Sequence, residues 1–146
     1  HYPLRRQRQM CIRDSPVCAA VALRAQQLMQ ERDIIGNVKR LAPRFAERVA
    51  RMDRFPFIGN TRSVGMIGAM EFSSEPDSKA KFDPAHKIAA RAVAVIQEHG
   101  VILRALPGDI IGFCPPLVIN GDELDDMFDR VEAALDEFTA TAESLR

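Results

Sequence analysis

The clearest pattern in the chain lies near its end. Leu124, Met127, Phe128, Val131, Leu135 and Phe138 recur at spacings of three and four, which is the period of a helix with one buried face. Asn120 stands three residues before Glu123, a capping-box start for that helix. A second stripe, Ile34, Ile35, Val38, Leu41, Phe45 and Val49, has the same period, with Pro43 inside it as a kink or a new start. Ahead of it, Pro16 opens a helical run whose apolar face is Val17, Val21 and Leu28, with Ser15 as its cap and Asp33 as its interruption. Asp83-Pro84 opens another helix, with the stripe Ile88, Ala89, Ala92, Val95 and Ile96 and a stop at Gly100.

The period changes to two between these helices. Thr61 to Phe72 reads as extended, with Val64, Met66, Gly68, Met70 and Phe72 on one face and Glu71 turned away. Gly65 and Gly68 mark a bulge or a close backbone approach. Ser73 to Phe82 is polar, contains Pro76 and reads as a loop. Val101–Arg104 and Ile110–Phe113 form a hairpin around Pro107-Gly108, and Pro115-Pro116 ends its second strand. The predicted order is helix, helix, strand, helix, two strands, helix. This is an α/β (α+β) domain in which two or three helices cover one face of a small, mostly antiparallel sheet.

Composition narrows the function. Twenty basic residues balance twenty acidic ones in 146 residues, which argues against a dedicated nucleic-acid or membrane-surface binder. No apolar run is long enough to span a bilayer. Three cysteines, Cys11, Cys18 and Cys114, without CxxC spacing fit free thiols in a reducing, cytoplasmic setting. Cys114 reads as a small buried hydrophobe. Residues 1–15 carry Arg5, Arg6, Arg8 and Arg13 without a helical or strand period. They read either as a basic arm or, in preference, as adapter-like leader sequence foreign to the rest of the chain.

Candidate chemistry is sparse. Asp122, Asp125, Asp126 and Asp129 share one helix face; a hard-cation site is one reading, and a solvated face with acids near a helix N-terminus is the preferred one. His86 and His99 have no nucleophile partner in sequence. Glu71 reads either as an acid supporting a site or, in preference, as an exposed or salt-bridged residue on the outer face of the sheet, and Arg62 has the same two readings. Arg104 differs, because its stem leaves a packed apolar strand. Its planar fork matches a carboxylate in two parallel hydrogen bonds.

Three blocks carry a family resemblance. SPVCAAVALRAQQLMQERD resembles the helix after an HPVA-type motif, with Ser15 in place of the histidine. TRSVGMIGAMEF resembles a VRGxGLMxAIEL-type strand pair, with Ser63 where glycine is common. GVILRALPGDIIGFCPPLVINGDELDDMFDRVEAAL resembles a terminal GxxxR…GD…PPL block. Over about residues 16–140 the chain resembles the C-terminal part of a class III (fold type I) pyridoxal-phosphate aminotransferase of the omega-amino-acid–pyruvate kind.

The resemblance implies the cofactor pyridoxal 5'-phosphate, an amine or omega-amino-acid donor, a keto-acid acceptor such as pyruvate, and a homodimeric parent. It implies that Arg104 grips the substrate carboxylate. It also places the cofactor lysine before Pro16, since Lys39, Lys79, Lys81 and Lys87 do not match that setting, so this piece is expected to be inactive alone. The implied organisation is a non-native leader over 1–15, a helix leading from a large domain over 16–32, and a small C-terminal domain over 33–146. A free-standing carboxylate-binding module is the alternative, and a nucleic-acid module using the arginine arm is a weaker one.

Overall fold

The computed structural model of the chain describes residues 15–75 and 80–145. The expectations for the leader, Cys11 and the loop at Pro76 fall outside the described residues. The chain divides into two compact units, ending and starting at Gly36 and Asn37.

In the first unit, α1 spans Pro16–Glu31. Proline supplies the first helical position, where its missing N–H costs nothing. Ser15 is extended but its side chain makes no cap, contrary to expectation. No residue of α1 is buried, so Val17 and Val21 are an exposed apolar face. Arg24 and Glu31 form an ion pair at 2.8 Å along the helix. Asp33 breaks the helix with φ 46°. Gly36 then passes so close that an added Cβ would lie 2.1 Å from the Asp33 carboxylate.

α2 spans Ile34–Ala50, and its residues from Asn37 onward belong to the second unit. Among the described residues, four antiparallel strands form two hairpins: β1 (Ile58–Val64), β2 (Ile67–Phe72), β3 (Arg104–Leu106) and β4 (Ile110–Phe113). The sheet order is β1-β2-β4-β3. Helix α3 (Ile88–Glu98) lies between the hairpins in sequence and α4 (Gly121–Ser144) closes the chain. The sheet is antiparallel throughout, and the fold class matches the sequence reading.

The core lies between one sheet face and the helices. Phe45 and Val49 of α2 sit above Gly68, where an added Cβ would approach each to 3.0 Å. Phe128 of α4 packs edge-on to Phe45 and stacks on Phe113 of β4. Phe138 meets Phe57 and Phe72 edge-on. These aromatic contacts join both hairpins to α4, because large rings bury more area than any other side chain.

Two expectations are corrected. TRSVGMIGAMEF is not one strand: Gly65, with φ 59°, makes a two-residue loop with Met66, so Val64 pairs with Ile67. Val64 is therefore 84% exposed, on the face opposite Met70. The second correction concerns Val101–Leu103, which have no sheet partner; β3 starts at Arg104, which is its first residue rather than its last. Val101 is instead held by the end of α3. Gly100, with φ 84°, donates to Gln97 O at 2.9 Å, and Val101 donates to Ile96 O at 3.2 Å. This pair of bonds is a Schellman stop.

Candidate functional site

The strand register decides what faces what. Facing residues of an antiparallel pair project to the same side. Met70 pairs with Ile111, and both are fully buried under the helices. The residues out of phase with them form the other, open face. Arg62 faces Ala69, Ala69 faces Gly112, and Gly112 faces Arg104. Two arginines thus terminate one cross-strand row whose interior residues are small. The next row holds Asn60, Glu71, Ile110 and Leu106. Leu106 folds back over Gly112, its Cδ1 lying 3.3 Å from where a Cβ would stand.

The two guanidinium groups differ. Arg62 reaches over to the adjacent strand β2 and pairs with Glu71 through Nη1 and Oε1. Arg104 is exposed, and among the described residues its side chain has neither an ion pair nor a hydrogen bond. Arg44, Arg48, Arg51, Arg54 and Arg130 are all ion-paired. Arg104 therefore presents a planar, unsatisfied donor fork beside the apolar Leu106 and Ile110.

A cavity of about 420 Å³ opens beyond the far end of β3, lined by Lys81, Phe82, Lys87, Leu106, Pro107 and Asp109 among others. Arg104 does not line it. Asp109 Oδ1 accepts from the Ala89 N–H at 3.5 Å, so the acid there already serves the start of α3.

The remaining sequence candidates have different surroundings. Cys114 is exposed, not a buried hydrophobe, because the chain leaves the sheet after Phe113. Asp125 and Asp129 are not a merely solvated face: Asp125 pairs with Arg44 and Asp129 with Arg48, both on α2. Asp126 pairs with Arg130 at 2.9 Å. His99 Nε2 lies 2.9 Å from Glu137 Oε2 on α4. The arginines at positions 44, 48, 51 and 54 are not legible as a group in sequence. Their spacing of four, three and three is visible, but their acidic partners sit 81 or 82 residues away.

The described lysines, Lys39, Lys81 and Lys87, are all exposed. A lysine that forms a covalent bond with a carbonyl cofactor is activated by desolvation or by a neighbouring cation. None of these three is desolvated. The described lysines lack the desolvated setting that favours covalent attachment of such a cofactor.

The open-faced sheet with three helices behind it has close relatives in shape and sequence. A PLP-bound aminotransferase mutant from Vibrio fluvialis superposes with a TM-score of 0.82 at 35% identity, over 87% of this chain and 28% of that one. An uncharacterised aminotransferase of Sinorhizobium fredii is 35% identical over 122 residues, covering 82% of this chain and 26% of the relative. The diaminobutyrate–2-oxoglutarate transaminase of Halomonas elongata is 36% identical over 124 residues, covering 84% and 26%. The family model for class-III aminotransferases matches residues 14–135. The chain belongs to the class-III aminotransferases, a family that transfers amino groups with pyridoxal phosphate as cofactor. It spans about a quarter of the length of the curated relatives it matches.

Among the described residues no helix is long and apolar enough to cross a membrane.

Proposed function

We propose that this chain is the carboxylate-recognising C-terminal domain of a pyridoxal-phosphate-dependent aminotransferase. The parent moves an amino group from an amine or omega-amino acid to a keto acid, with pyruvate as the acceptor. Arg104 holds the substrate carboxylate. The observation that carries the reading is the Arg104 fork on the open face of the sheet, without a partner among the described residues, in a family whose substrates include amino and keto acids. Its two parallel N–H donors bind the carboxylate and fix its plane, which orients the carbon skeleton as a point charge cannot. Leu106 and Ile110 give that skeleton an apolar floor.

Pyridoxal phosphate supplies the electron-withdrawing chemistry when bound to the parent. The described lysines of this chain take no part in that chemistry, since their exposed settings do not fit the cofactor. The cofactor lysine belongs to the remaining length of the parent, a reading supported by the 26% coverage of the relatives. The 146-residue chain alone is accordingly inactive. The parent works as a homodimer in the cytoplasm, where Cys18 and Cys114 persist as exposed free thiols.

The test is titration of the ¹⁵N-arginine-labelled chain with propionate. The Arg104 Nε–H resonance is expected to shift, and the shift is lost in Arg104→Gln. A chain whose arginine resonances ignore propionate refutes the assignment of Arg104. An Arg104→Gln chain with the same propionate affinity refutes it equally.

A further inference from the structure

We propose that Glu71 is a specificity-determining residue that restricts the open face to ligands with a single carboxylate. The inference rests on the reading of Arg104 as the carboxylate clamp. Arg62 and Arg104 end the same cross-strand row, three strand spacings or about 14 Å apart at their Cα atoms. Each guanidinium reaches several ångströms from its backbone. Arg62 already leans inward, since its partner Glu71 stands on the adjacent strand β2. Ala69 and Gly112 between them carry little or no side chain. A short dicarboxylate laid along this row therefore has a cation within reach of each end.

Glu71 cancels that second cation. It is 34% exposed and Arg62 is 51% exposed, so both are accessible from the open face. An acid tethered on the neighbouring strand acts at an effective concentration of millimolar or more. A dissolved carboxylate at lower concentration does not displace it. Charge balance points the same way. Across this row and the next, the two guanidinium groups and the Glu71 carboxylate leave a single uncompensated positive charge. One ligand carboxylate neutralises it. A second would sit beside Glu71 as a like charge, which is unfavourable by the same local electrostatics. The site thus suits a keto acid of the pyruvate class over one with a distal carboxylate.

Glutarate and propionate serve as inert probes of the two classes. Binding to the whole 146-residue chain is followed by the side-chain Nε–H resonances of Arg62 and Arg104. In the unsubstituted chain, both probes are expected to shift Arg104 with similar affinity and to leave Arg62 unmoved. Glu71→Gln is expected to tighten glutarate about three- to fivefold, the value of an exposed ion pair, to shift Arg62 and to leave propionate unchanged. Adding Arg62→Gln to Glu71→Gln is expected to restore the original glutarate-to-propionate ratio. The proposal is overturned if Glu71→Gln leaves that ratio unchanged, if both probes tighten equally, or if the double variant keeps the glutarate gain. Failure of the Arg104 reading looks different, because then neither probe shifts Arg104 in any of these chains. Should Glu71→Gln unsettle the hairpin, Glu71→Asp is the companion. Its shorter arm loosens the Arg62 pair, so a smaller glutarate gain with a small Arg62 shift is expected, and a glutarate-to-propionate ratio equal to that of the unsubstituted chain overturns the proposal.

Discussion

Arg48 Nη2 lies 3.0 Å from Glu132 Oε1, and both side chains are nine-tenths buried between α2 and α4. The contact closes an ion pair, not a hydrogen bond, since Glu132 Oε1 and Arg48 Nε have no hydrogen-bond partner. Around them Arg51 and Arg54 reach Glu132 Oε2 at 3.5 and 3.3 Å, and the Arg48 guanidinium lies 5.5 Å from the centre of the Phe128 ring. Glu132 is thus the shared anion of three arginines. Removing it alone takes from Arg48 its nine-tenths-buried anion and leaves it Asp129, which is 68% exposed, and Asp125 at 3.7 Å. The burial of the cation is then only partly compensated, a cost that a matched apolar replacement of both partners avoids. Glu132→Ala is expected to destabilise the chain by about 2 kcal/mol, less than a fully orphaned buried charge would cost. The pair Arg48→Met with Glu132→Leu is expected to cost about 1 kcal/mol or less. Urea unfolding of the single and double variants measures both, and equal losses would contradict this account.

Gly68 and Gly112 are both strand glycines, yet they predict opposite outcomes. An added methyl at Gly68 meets Phe45 and Val49 at 3.0 Å inside the core. At Gly112 it meets the flexible tip of Leu106 at 3.3 Å on the open face. Overpacking a closed core costs about 1–3 kcal/mol. Gly68→Ala is expected to lose stability in that range, while Gly112→Ala stays near neutral. Thermal unfolding of the two variants side by side decides the point.

The start of α4 is fixed by a reciprocal cap. Asn120 Oδ1 accepts from the Glu123 N–H, and Glu123 Oε2 accepts from the Asn120 N–H, both at 2.9 Å. Asn120→Ala removes one half of the box and is expected to cost about 1 kcal/mol. Asn120→Gly is expected to cost only a few tenths of that. A denaturant midpoint unchanged by Asn120→Ala would show that the flanking chain, tied by Asn37 to Leu117 O and Ile119 O, holds the helix start by itself.

Exposure of Lys39, Lys81 and Lys87 predicts how the isolated chain meets pyridoxal phosphate. After incubation and borohydride reduction, peptide mapping is expected to find the label spread at low, comparable levels over these lysines. Concentration of the label on one of them at stoichiometric cofactor would reveal a preformed pocket and refute the division of labour proposed for the parent.

Most of this architecture is legible in local chemistry. The α4 stripe, its cap and the Gly100 stop each depend on residues within one or two helical turns, and all three stand in the structure. Arg104 is visible in sequence as an arginine leaving an apolar stretch. Its strand position is not, because Val101 is buried like a strand residue while Ile102 is 85% exposed, although neither pairs in the sheet. The β1-β2 turn is hidden for a different reason. A two-residue loop preserves even spacing, so Val64 and Met70 stay in phase in sequence though they lie on opposite faces. The Arg62–Glu71 pair and the ladder of arginines on α2 and the 3-10 turn Arg51–Arg54 after it depend on register and helix pairing. Those are tertiary facts that no local window contains.

The loop joining β3 to β4 turns through Gly108 and Asp109, both at positive φ, and sets Leu106 opposite Ile110. Side chains of a strand alternate, so inserting a single residue there would send Arg104 inward among the phenylalanines and Ala105 out to water. The polarity of the whole open face is therefore written in the length of a three-residue bend, ahead of any choice of amino acid upon it.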